Sequence, residues 1–245
     1  MNGKVSAWLR DDKESQALEV AGGKTAKART AFSGRNAQGW IGYFKGLLEV
    51  ELELAKKPRN WWIGDPAVSP DGEAVYFALN GGNSGGAAGN TQSVLFKLES
   101  RTDRVTPLKR LPIFEGRLPS FQVSPDGKKL LSRGSFHISA AENPSFVEVV
   151  NLETAKVTGL AWEKLAPSQK GRLTSLVQGV CWLRDSRTVA ISGAEYDISS
   201  FDNATDSNWE IEIPRFPQEF SIYLIDTVTG KLTRRIAGAS SPSCR

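Results

Sequence analysis

The stretch AVSPDGEAVYFA (residues 67–78) is written a second time as QVSPDGKKLLSR (residues 122–133). In both copies Ser-Pro-Asp-Gly stands between a short apolar segment and a strand-like run. Pro presets φ for the second position of a turn, Asp hydrogen-bonds its own backbone, and Gly accepts a positive φ. The tetrapeptide therefore predicts a hairpin turn, with a strand on each side. A degenerate copy, VCWLRDSRTVAISG (residues 180–193), puts Asp185 where the intact copies have Asp71 and Asp126. In all three the aspartate is read as a turn former, not as one of a functional pair.

A second stretch follows each copy: VLFKLESRTDRVTPL (94–108), FVEVVNLETAKVTGL (146–160) and IYLIDTVTGKLTRRI (222–236). Each is an apolar strand, a polar residue (Glu99, Asn151, Asp226), a short turn, a basic residue and a further apolar residue. One unit is thus four short strands: 67–68, 74–78, 93–98 and from 105; then 121–123, 129–133, 146–150 and from 157; then 180–182, 188–192, 221–225 and from 232. Four-stranded antiparallel units repeated at this interval are the signature of a β-propeller.

VSPDG with its following strand, together with IYLIDTVTGKLTRR, resembles the WD-repeat-like blades of the TolB family. It is also similar to the propellers of prolyl oligopeptidases and dipeptidyl peptidases. The resemblance covers residues 65–238 and implies an all-β fold, a β-propeller or partial propeller of four-stranded antiparallel blades at about 61–110, 111–165 and 175–238. By analogy it implies a non-catalytic scaffold binding a protein or peptide. The alternative is the accessory propeller of a prolyl-oligopeptidase-like serine peptidase whose hydrolase domain this chain lacks.

Three blades do not close a ring. Residues 1–60 are expected to be a divergent segment holding an incomplete blade, with KVSAWLR and QALEVAG as strands and LLEVELELAKKP (47–58) as another by its period of two. The expected outcome is a partial propeller or a piece of a larger one, with a compact four-bladed ring as the alternative. An unclosed ring would expose strand edges and favour association. AGGKTAKART (21–30) lacks the first glycine of a phosphate-binding loop and is read as a mobile basic loop. Trp61 and Trp62 are read as packing between blades.

The 245 residues carry a net charge of +4 from 31 basic and 27 acidic side chains, without the concentrated patch that a nucleic-acid partner needs. No apolar run reaches the ~20 residues of a membrane span. The first thirty residues have no apolar core of a secretory leader. That makes the cytoplasm the default compartment, and the periplasm or exterior the compartment if the chain is a piece. Cys181 and Cys244 make neither a disulfide framework nor a zinc site, and Cys181 is read as an inert buried thiol. No cofactor and no metal is expected.

Strand alternation places the loops at 80–92, 134–145 and 193–220 on one face, where long loops on a rigid scaffold carry function. The second holds His137, the only histidine. The third places Glu195, Asp197, Asp202 and Asp206 among Tyr196 and Trp209, without a Lys or Arg between Arg187 and Arg215. Carboxylates interleaved with aromatics suit a cationic group on a peptide or protein. A calcium-loop template starting at Asp202 fails at Ala204, Ser207 and Ile213. GNSGG (82–86) has the spacing of a nucleophile elbow, but no helix pattern follows it. His137, Glu195, Tyr196, Asp197, Asp202, Asp206 and Trp209 are therefore the candidate ligand-face residues, and no catalytic residue is assigned.

Overall fold

The computed structural model describes residues 5–12, 15–22, 27–33, 61–81, 92–111, 120–135, 145–160, 172–197, 219–239, 242 and 244. They form sixteen strands in four antiparallel sheets. Sheet 1 contains β1 (Ser6–Asp12), β2 (Ser15–Ala21) and β3 (Arg29–Ser33) in that order. In sheet 2, β6 (Ala74–Gly81) pairs with both β4 (Trp61–Ile63) and β5 (Ala67–Val68), then β7 (Gln92–Glu99) and β8 (Val105–Leu111) follow. Sheet 3 runs β9 (Ser120–Val123), β10 (Lys129–Ser135), β11 (Ser145–Asn151), β12 (Val157–Gly159). Sheet 4 runs β13 (Arg172–Trp182), β14 (Thr188–Asp197), β15 (Glu219–Asp226), β16 (Leu232–Ala237).

The sheets are propeller blades because alternate residues of each strand serve different neighbours. In β6, Val75, Phe77 and Leu79 enter a core shared with Leu18, Val20 and Phe32 of sheet 1. Ala74, Tyr76 and Ala78 of the same strand enter a core shared with Phe121, Leu130 and Val150 of sheet 3. A third core joins Leu131, Val147 and Val149 of sheet 3 to Val189, Ile191, Tyr223 and Ile225 of sheet 4. A strand buried on both faces reads as a continuous apolar run, which is why AVYFAL shows no polar alternation. Phe32, Phe77 and Phe96 anchor the first core, with Phe77 5.1 Å from Phe32 and 5.6 Å from Phe96 between ring centroids. Burying rings of this size is worth about 1.5–3 kcal/mol each in area alone.

Polar contacts fix the stacking between blades. The Arg29 guanidinium donates to both carboxylate oxygens of Asp103, at 2.8 and 3.0 Å, and to the Ser100 carbonyl. Between sheets 3 and 4, Trp182 Nε1 donates to the Gln122 carbonyl (3.1 Å) while Gln122 Nε2 donates to the Val180 carbonyl (2.9 Å). Among the described residues the cores join sheet 1 to 2, 2 to 3 and 3 to 4, and none joins sheet 4 back to sheet 1, so the ring is not closed.

Two sequence expectations are corrected. The supposed mobile loop at 21–30 contains the start of β3, because Arg29 is drawn to Asp103 and Thr30 to the buried Glu19 (2.6 Å). Cys181 is buried but is not a thiol: it forms a disulfide with Cys244, with 5.9 Å between the Cα atoms. The pair is 63 positions apart in sequence, too far for spacing to reveal it. Trp61 and Trp62 pair by backbone with Gly81 and Asn80 at the edge of β6; their side chains, like residues 47–58, lie outside the described residues.

Candidate functional site

The two ends of the blades differ. At one end lie the Ser-Pro-Asp-Gly turns. The Ser69 hydroxyl donates to Asp71 Oδ1 (2.5 Å) and accepts from the Ala74 N–H (2.9 Å), while Asp71 Oδ1 also accepts from the Glu73 N–H (2.9 Å). Ser124, Asp126, Lys128 and Lys129 repeat the same bonds at 2.6, 3.1 and 2.9 Å. In the degenerate copy Asp185 accepts from the N–H groups of Arg187 and Thr188, and from the Thr188 hydroxyl (2.9, 2.8 and 2.6 Å). All three aspartates are consumed in building turns.

These bonds stabilise the charged form. The Ser69 hydroxyl holds Asp71 below the ordinary carboxylate range. At Asp126 and Asp185 burial opposes ionisation, but donors from Ser124 and Lys128, and from Thr188 and Arg187, outweigh it and lower both. At the other turn of sheet 4 the N–H of Thr229 is the largest influence on Asp226; with Val228 N–H and Arg187 it lowers the pKa to about 2. Arg187 Nε meets Asp226 Oδ2 at 2.5 Å.

The turn end is also closed by contacts between blades. The Asp126 N–H donates to Ser186 Oγ (2.9 Å), and Lys129 Nζ reaches the Ser186 carbonyl (3.0 Å) and sits 5.8 Å from the Trp182 ring centroid. Pro70 lies beside Gly127, 3.9 Å from where a Cβ would stand, and Val5 fills the space beside Gly72. This end is filled by its own turns.

The other end carries the connections at 82–91, 136–144 and 198–218, and there sheet 4 departs from its neighbours. Aligned on the turn aspartates, β9 begins at the equivalent of Gly179, whereas β13 begins at Arg172. β10 ends at the equivalent of Ala194 and β6 at the equivalent of Glu195, whereas β14 continues through Tyr196 and Asp197. The end of the added length is paired: Arg172 stands opposite Asp197, Leu173 opposite Tyr196, Thr174 opposite Glu195, and Glu195 opposite Glu219 of β15. Two register shifts, between Thr174 and Leu176 and between Val177 and Gly179, separate this extension from the blade body. Such bulges bend a strand and raise its twist.

Of the residues singled out from sequence, the structure therefore places Glu195, Tyr196 and Asp197 consecutively at the end of β14. His137, Asp202, Asp206 and Trp209 lie outside the described residues. Sequence reasoning missed Arg172, Thr174 and Glu219, whose register positions bring them beside these three. The signal that could find them is the long strand-like run of 172–182. Among the described residues no helix is long and apolar enough to cross a membrane.

No protein-family model matches the chain, and no curated protein matches it. Solved structures do. Oligogalacturonate lyase from Vibrio parahaemolyticus is similar at 12% identity over 98% of this chain and 51% of that one, with a TM-score of 0.51. TolB from Acinetobacter baumannii is similar at 14% identity over 96% and 51%, with a TM-score of 0.43. The β-propeller domain of the trilobed protease from Pyrococcus furiosus, described as having an open velcro topology, is similar at 16% identity over 72% and 43%, with a TM-score of 0.44. The chain spans about half or less of the length of each of these. At such identities the likeness concerns fold, and it spans an enzyme, a TolB and a protease's propeller. Blade pattern, stacking order and the likeness to the lyase structure agree on one conclusion: the chain folds as an all-β propeller assembly of antiparallel blades.

Proposed function

We propose that the chain is a non-catalytic scaffold that binds a protein or peptide at the end of the blades opposite the Ser-Pro-Asp-Gly turns. The observation that carries this reading is the extension of β13 and β14, which sets Tyr196 and Asp197 beyond the strand ends of sheets 2 and 3, next to the pair of Glu195 with Glu219. Strand-borne backbone holds position better than loop-borne backbone, so a ligand would meet acidic positions held in a fixed register. His137, Asp202, Asp206 and Trp209, outside the described residues, are added to the proposed contacts on their chemistry alone. Three acidic positions against one basic one, Arg172, favour a partner segment rich in Lys or Arg, with attraction that weakens as salt screens it.

Fluorescence anisotropy with labelled basic, neutral and acidic peptides tests the reading. Preference for the basic peptide, lost by tenfold or more in the Glu195→Lys/Asp197→Lys double variant and at high salt, is the expected outcome. Equal binding of all three peptides, or binding indifferent to the double variant, would sink it. Cleavage of the peptides by the purified chain would overturn the non-catalytic part.

A further inference from the structure

The outward face of sheet 4 is treated differently from every face between blades. It carries Cys181, Ala190, Ile222 and Leu224, an apolar set of the kind that elsewhere meets a neighbouring sheet. Here the cover comes from the chain's own segment after β16. The Gly238 N–H donates to the Phe220 carbonyl (2.9 Å), which turns the chain at the end of the strand. Ala239 and Cys244 then pack on the apolar set. Pro242 lies over Gly179, its Cδ 3.2 Å from where a Cβ on that residue would stand. The Cys181–Cys244 disulfide fastens the far end to β13, at the opposite side of the sheet from β16.

The span explains why the fastening is needed. Crossing from β16 to β13 covers three strand spacings, about 14 Å, and the six steps from Gly238 to Cys244 reach at most about 20 Å. The segment is long enough for that crossing. Its described contacts are one proline, one alanine and the cystine, a small apolar area to set against the entropy of ordering the segment.

We propose that this segment is a redox-released strap: the disulfide holds it over the outward face of sheet 4, and reduction frees it and uncovers that face. The reductant is a dithiol. One of its thiolates attacks the Cys244 sulfur, the more exposed of the two cysteines, and Cys181 leaves as a thiolate that takes up a proton. The second dithiol sulfur then resolves the mixed disulfide. Two electrons and two protons pass to the protein, and the dithiol becomes a disulfide.

Pulsed hydrogen–deuterium exchange on the full chain, before and after dithiothreitol, with free thiols counted in parallel, tests this. The oxidised chain should show no free thiol and slow labelling over 238–244. On reduction two thiols should appear, and labelling of the segment should speed up tenfold or more within a short pulse that leaves the β14 core amides unlabelled. An apolar dye should bind the reduced form more than the oxidised form. Cys244→Ser should behave as the reduced chain with or without reductant. A segment that stays protected after reduction would show that packing alone holds it. Loss of β14 protection within the same short pulse would show that the disulfide holds the whole blade together instead. Two free thiols in the chain purified under air would remove the disulfide itself. Any of these overturns the proposal.

Discussion

At the scale of the residue, the turn positions show how small energies select side chains. Gly72, Gly127 and Ser186 occupy the same place in three blades, with φ of 71°, 73° and 55°. A non-glycine residue there costs about 1 kcal/mol. Ser186 offsets that cost because its hydroxyl accepts the Asp126 N–H of the next blade, a bond worth about 1 kcal/mol. Ser186→Gly should therefore change stability little, whereas Ser186→Ala, which keeps the strain and loses the bond, should cost about 1 kcal/mol in urea denaturation. The depressed carboxylates give a pH dependence of definite sign. Asp71, Asp126, Asp185 and Asp226 are lowered in the folded chain, so their contribution is complete above the unfolded value of 3.8 and is lost as pH falls through the folded values, about 2 for Asp226. Thermal melts should hold steady down to about pH 4 and fall between there and pH 2. Asp226→Asn should flatten part of that fall, since Asn151 builds the equivalent turn with the same two N–H bonds.

At the scale of the element, a blade is a hairpin pair whose two faces belong to different cores. The turns and strand positions were legible in sequence, because Ser-Pro-Asp-Gly carries its geometry in four neighbouring residues. The extension of β13 and β14 was not, because it depends on pairing between segments that are distant in sequence. Gly179 shows the same limit. In sequence it is a glycine inside a strand, and only the fold reveals Pro242 lying over it. Its backbone is not left-handed, so the space alone decides. The proline ring must yield a few tenths of an ångström to admit a methyl group. Gly179→Ala should cost about 1–2 kcal/mol, read as a lower denaturation midpoint with an unchanged slope, and should speed exchange over 238–244.

At the scale of the whole molecule, sheets 1 to 4 stack in chain order, and each shares an apolar core with the next. The disulfide closes a long loop around sheet 4, and on the chain-entropy account it stabilises by about 4 kcal/mol. Cys244→Ser should lower the unfolding free energy by up to that amount, with the far-ultraviolet circular dichroism of a β protein retained at room temperature. A loss well below 1 kcal/mol would mean that the reduced unfolded chain is already compact there.

What the sequence determined by itself was local: strand periodicity, the turns, the four-stranded repeat, and from these the propeller class. Each is fixed by residues within a few positions of one another, so composition and order suffice. The tertiary structure alone decided which residues 60 or 70 positions apart meet: Arg29 with Asp103, Ser186 with Asp126, Cys181 with Cys244. Such pairings depend on how faces stack. Burial of apolar area is non-directional and names no partner until the blades are assembled.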